Sequence, residues 1–130
     1  MKSITFTVPI YYKQFFKTKP YKTFLVGMNW YRNAHYFLTN KVKAKYHDLV
    51  REAVGDMKFT KVRMTYKIFI ERKGTDGHNI RSVIEKFVLD GLVECGALPN
   101  DDVSVVVGDN SEYGLGKGTA RAEITITEVE

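Results

Sequence analysis

Phosphodiester chemistry needs acids held near one another, and the second half of this chain offers them. Asp76 is followed at once by Gly77, then by His78 and Asn79, and Asp101-Asp102 comes further along. Two carboxylates and an imidazole can hold a divalent cation, with Mg²⁺ favouring oxygen ligands and Mn²⁺ accepting nitrogen more readily. Such an ion activates water and stabilises the transition state of phosphate ester hydrolysis. The same residues also suit plainer roles, because Asp-Gly and Asp-Asp are ordinary turn formers and His78 can be a polar residue opening a helix. Lys86 and Asp90 stand at i and i+4. They read either as an ion pair on a helix face or as a lysine directed at a phosphate near the acids.

The elements that must position these residues follow from periodicity. Lys2–Pro9 alternates Ile4, Phe6 and Val8 with small polar residues and predicts a strand. Tyr11–His35 is irregular, rich in aromatics and lysines, with a short strand possible over Thr23–Val26. A helix is expected from about Lys41 to Val54, capped by Thr39 or Asn40 and stopped by Gly55. Lys58–Arg72 alternates over its whole length and predicts a strand. After a turn at Gly74–Gly77 comes the clearest helix, roughly Asn79–Cys95, with Ile80, Val83, Ile84, Phe87, Gly91 and Cys95 as its apolar stripe. Val103–Val107 reads as a strand, Gly108–Gly118 as a polar loop, and Ala120–Val129 as a last strand. The expectation is an α+β fold, with a small mixed β-sheet and two main helices, in one domain over residues 1–130. Asp76, His78 and Asp102 converge if the end of one strand lies beside the start of the next.

Charge divides the chain. Residues 1–70 carry 14 Lys and Arg against three acids, a balance of +11, while residues 71–130 balance at −6. A basic surface attracts polyanions such as nucleic acid, and Lys43, Lys45, Lys58, Lys61 and Lys67 are candidate phosphate contacts. Aromatics between residues 11 and 37 can stack on bases where a duplex opens.

Several classes are excluded. Hydrophobic residues make up 44% and charged residues 27%, against disorder. The apolar runs are too short for a membrane span, and the amino-terminal residues lack the pattern of a signal peptide. One cysteine, Cys95, permits neither an internal disulfide nor a CxxC zinc site, which fits a reducing cytoplasm. With no P-loop and no GxSxG elbow, neither a nucleotide cofactor nor a serine hydrolase is expected.

Four stretches resemble the RusA-type Holliday junction resolvases, the crossover junction endodeoxyribonucleases. Thr75-Asp76-Gly77-His78-Asn79 is similar to the family's Asp-x-Asp-Asn at a helix start. Phe87–Leu92, with Gly96 and Asp101-Asp102 after it, resembles the family's Asp-x-Leu, glycine and paired aspartates. Asn29-Trp30-Tyr31-Arg32 with Leu38–His47 resembles its amino-terminal loop and first helix, and Arg121–Glu128 its last strand. The resemblance implies a homodimer that binds a four-way DNA junction and cuts two strands symmetrically with Mg²⁺ or Mn²⁺, in recombination and repair within a bacterial or phage-infected cytoplasm. By position it implies catalytic roles for Asp76, His78, Asp102 and Lys86. The metal ligands would be Asp76, His78, Asp101 and Asp102, and Asn29, Arg32, Lys43, Lys45, Lys61 and Lys67 would contact DNA. His78 stands where the family has its second motif aspartate. That exchange shifts preference towards transition metals, or makes the chain a protein that binds branched DNA without cutting it.

Overall fold

The computed structural model describes residues 2–15 and 17–129. Alternation in β1 (Ser3–Val8), β4 (Val62–Ile70) and β6 (Arg121–Glu128) gives each strand one apolar face. With β5 (Val106–Leu115) they form a four-stranded sheet in the order β1-β6-β4-β5. β6 is antiparallel to both β1 and β4, and β5 runs parallel to β4. The parallel pair requires a crossover, which α3 (Gly77–Glu94) supplies. α2 (Tyr36–Val54) packs against α3, and the two helices cover the apolar face. Tyr66, Met64, Ile68, Ile124, Ile126, Ile84 and Phe87 are among the large fully buried residues of the core.

The opposite sheet face is polar. Ser3 faces Thr127 and Thr5 faces Thr125 across β1 and β6, the second pair joining hydroxyls at 2.9 Å. The mixed α+β architecture is therefore as expected from the sequence, with additions. Tyr11–His35, expected to be irregular apart from a possible short strand at Thr23–Val26, is mostly regular. It forms an antiparallel hairpin of β2 (Tyr11–Gln14) and β3 (Lys22–Leu25), then a short α1 (Met28–Asn33). Lys13 lies over the Tyr21 ring and Lys22 over Phe24, at 4.8 and 5.2 Å, contacts that period-2 reading does not detect.

Two boundaries differ for physical reasons. α2 begins at Tyr36, capped by His35 rather than by Thr39 or Asn40, because the His35 ring nitrogen Nδ1 accepts the Phe37 N–H at 3.2 Å. Its first turn exposes Tyr36 and Phe37, so the amphipathic pattern begins only at Val42. The strand expected at Val103–Val107 begins only at Val106, after a turn, and continues through most of the expected loop at Gly108–Gly118. β5 is an edge strand with little to bury, and its polar residues pair with β4 in unbroken register from Arg63↔Gly108 to Ile70↔Leu115.

Candidate nucleic-acid interface

The amino end of α3 is built by Asp76. Its Oδ1 accepts the backbone N–H groups of His78 and Asn79, at 3.1 and 3.4 Å, satisfying two of the orphan donors that open a helix. This helix end forms one wall of a cleft of about 530 Å³. β3 and α1 form the opposing wall, with Phe24, Met28 and Trp30, while Leu38 and Ile80 extend the apolar lining. Asn29, Asn33, Asp76 and Asn79 line the same space. Two residues singled out by the sequence, Asn29 and Asp76, thus share a cleft although the chain separates them widely. Phe24 was expected only as one of the aromatics between residues 11 and 37, and Asn33 was not recognised as a site residue, because no periodic signal marks it.

Exposed aromatics and cations flank the lining residues along the chain. Phe15 and Tyr21 stand at the end of the hairpin with ring centroids 5.6 Å apart and are 75% and 52% exposed. His35, Tyr36 and Phe37 form a second exposed stack, with centroids 4.3 to 5.1 Å apart, between the cleft residues Ala34 and Leu38. No acidic residue precedes Asp48, whereas nine Lys and Arg do.

The acids themselves do not converge within one chain. α3 has 18 residues and is therefore roughly 27 Å long. Asp76 and His78 lie at its start. Asp101 and Asp102 lie beyond its end, just ahead of β5. Because β5 is parallel to β4, its start lies beside the start of β4, at the end of the sheet away from Asp76. The expected juxtaposition of Asp76, His78 and Asp102 therefore gives way to two separated pairs. Asp102 Oδ1 accepts from the Ser104 hydroxyl and N–H. Those bonds hold its carboxyl below the usual range, chiefly through the side-chain hydroxyl.

The lysines divide as well. Lys86 is exposed on α3, and its i+4 neighbour Asp90 pairs instead with Lys43 of α2, at 3.2 Å. Lys45 lies over the Tyr12 ring at 4.7 Å. Lys67 points to the polar face of the sheet, 4.0 Å from Glu112, and Lys61 is exposed just before β4. Arg32 is exposed on α1. The six expected DNA contacts therefore do not form one stripe, since Lys67 is on the side away from the helices.

Sequence reading also missed a charged cluster beneath α3. The Arg81 guanidinium contacts Asp109 of β5 at 2.9 Å and Glu85 at 3.3 Å, and lies over the buried Tyr66 ring at 5.0 Å. Burial works against the Arg81 charge, but the Asp109 and Glu85 carboxylates outweigh it and hold its pKa above the ordinary value. Burial pushes Glu85 up, with Asp109 adding to the rise, against the pull of Arg81 and His78. Burial also raises the Tyr66 phenol, whose hydroxyl has no hydrogen-bond partner among the described residues. Arg81 and Glu85 at i and i+4 were a visible signal, but Asp109 fell in the stretch read as a loop.

The donors present in one chain do not fit a hard-cation site. Among the described residues, no three His, Cys, Asp or Glu side chains gather where they could hold a metal ion. One oxygen of Asp76 is committed to the helix cap, and Asp102 is remote from it. No helix of the described residues is long and apolar enough to cross a membrane. No protein-family model matches the chain, and no curated protein is found similar to it.

Proposed function

We propose that this protein is a RusA-type, metal-dependent and structure-selective endodeoxyribonuclease that resolves four-way DNA junctions as a homodimer. The supporting observation is the cleft that Asn29 of the basic segment lines together with Asp76 and Asn79 at the start of α3 and with Thr23, Phe24 and Leu25 of the lysine- and aromatic-rich hairpin. In this reading the lysines of the hairpin and α2 hold phosphates. The exposed aromatics stack on bases at the opened branch point.

A homodimer answers the separation of the acids. β5 is an edge strand, with Val107, Tyr113 and Leu115 exposed along it and Val103 87% exposed ahead of it. Antiparallel pairing of this edge with a second copy would reverse the partner strand. Asp101 and Asp102 of the partner subunit would then approach the end at which Asp76 and His78 lie.

One observation favours the second reading, a branched-DNA-binding protein without cleavage. His78 is an exposed imidazole at the position of a motif carboxylate, and Asp76 is engaged in capping. A labelled four-way junction, incubated with Mg²⁺ and with Mn²⁺ beside a linear duplex of equal length, decides between them. Paired symmetric nicks confined to the junction support the nuclease. Salt-sensitive junction binding with no nicks in either metal supports the binding protein, and equal competition by linear duplex refutes both.

A further inference from the structure

Resting on the reading of the cleft as a DNA-binding surface, we propose that it receives one unstacked nucleobase of the bound strand while the sugar–phosphate backbone stays outside along the lysines. A volume of about 530 Å³ is of the size that small ligands occupy. Phe24 and Trp30 provide aromatic surfaces for stacking, and Met28 and Ile80 continue the apolar wall. Polar groups gather along the same cleft. The Asn29 and Asn79 amides each offer a donor and an acceptor, the pairing that base edges present. Enzymes that extrude bases read them in this way, by stacking and by hydrogen bonds to the edge.

Trp30 lines the cleft while its Nε1–H is shut off from solvent, so it offers a guest a surface for stacking rather than a hydrogen bond. Charge fixes the orientation of the guest. No lysine or arginine lines the cleft, so a phosphate finds no cation to pair with inside it, whereas a neutral base needs none. Lys13, Lys17, Lys19 and Lys22 on the hairpin supply the cations outside. The same distribution argues against a free nucleotide, whose phosphate would find no cation within.

Trp30 is the only tryptophan, so its fluorescence reports on this cleft directly. The full chain is titrated at one fixed salt with a short single-stranded oligonucleotide, an abasic oligonucleotide of the same length, and a deoxynucleoside monophosphate. Binding of both strands is followed separately by anisotropy. The base-bearing strand is expected to quench Trp30 and to bind on the order of tenfold tighter than the abasic strand. Asn79→Ala is expected to bring the two affinities together and leave the abasic one unchanged. Equal affinity and equal quenching for the two strands overturns the base pocket and leaves DNA binding standing. Tighter binding of the mononucleotide than of the strand overturns it in favour of a free nucleotide. Failure of both strands to bind at low salt overturns the base pocket and the DNA-binding reading together.

Discussion

Asp76 is given two roles, as helix cap and as acid of the cleavage site, and substitution separates them. Asp76→Ala removes the acceptor that holds the His78 and Asn79 N–H groups, at 3.1 and 3.4 Å. Loss of such a cap costs about 1 kcal/mol, within a range of roughly 0.5 to 2. For a chain of 130 residues that lowers the melting temperature by about 4 °C. Asp76→Asn keeps a capping oxygen of nearly equal quality and loses only the charge at the positive end of the helix, about 0.3 to 1 kcal/mol. Its melting temperature should therefore lie between those of the parent and the alanine variant. Cleavage should not follow that order. Both variants should lose roughly 10²-fold or more in junction cleavage if the carboxylate acts in the reaction. Circular dichroism melts beside single-turnover cleavage of a labelled junction give both readouts. Parental cleavage by Asp76→Asn would show that Asp76 is a helix cap and nothing more. An unchanged melting temperature in Asp76→Ala would refute the capping argument itself.

Other outcomes follow from the same geometry. A Cβ on Gly77 would lie 2.3 Å from Cδ1 of Tyr113, so Gly77→Ala should destabilise by about 1 to 3 kcal/mol in denaturant melts, and adding Tyr113→Ala should recover part of the loss. Burial raises Glu85, so the native state holds its proton more tightly than the unfolded chain. Its contribution is full below the ordinary carboxylate range and is lost as pH rises from there through the raised native value, and Glu85→Gln should flatten that decline in pH-dependent melts. Asp102 has the opposite sign, its contribution being lost as pH falls below that range, which Asp102→Asn should abolish. Lys43 is paired with Asp90, so Lys43→Ala should change the salt dependence of junction binding less than Lys45→Ala, measured by anisotropy. His78→Asp should raise cleavage in Mg²⁺ relative to Mn²⁺ by restoring an oxygen donor. Unchanged metal preference would make His78 a bystander.

Elements that bury a full face were legible in the sequence. β4 alternates from Val62 to Ile70, and the stripe of α3 repeats from Ile80 to Phe87, so burial wrote its period into both. β5 was placed too early, at Val103–Val107, because an edge strand with a polar face carries no such period. Of the hairpin, only a possible short strand at Thr23–Val26 was noticed, because β2 and β3 carry cation–aromatic contacts rather than apolar alternation. In the site, Asp76 was recognised from its residue type and its position before a helix. The failed convergence with Asp102 has a topological cause. Spacing along the chain does not say whether the strand after α3 runs parallel or antiparallel to β4, and that direction alone decides at which end Asp102 lies. The Arg81–Asp109 contact was hidden likewise, since it joins a helix to a strand whose extent had not been read.

The position of β6 between β1 and β4 governs how the chain reaches its native state. The first strand has no other partner in the sheet, and one side of β4 is filled only by β6. During synthesis, residues 3–8 must therefore stay unpaired until residues 121–128 have emerged. The helices can form early from local contacts, but closure of the sheet joins the most distant parts of the chain, the kind of pairing that makes folding slow. Until that moment β1 and β4 each present an unpaired backbone edge. A shortened chain lacking β6 would keep those edges permanently and should aggregate rather than fold with one strand fewer.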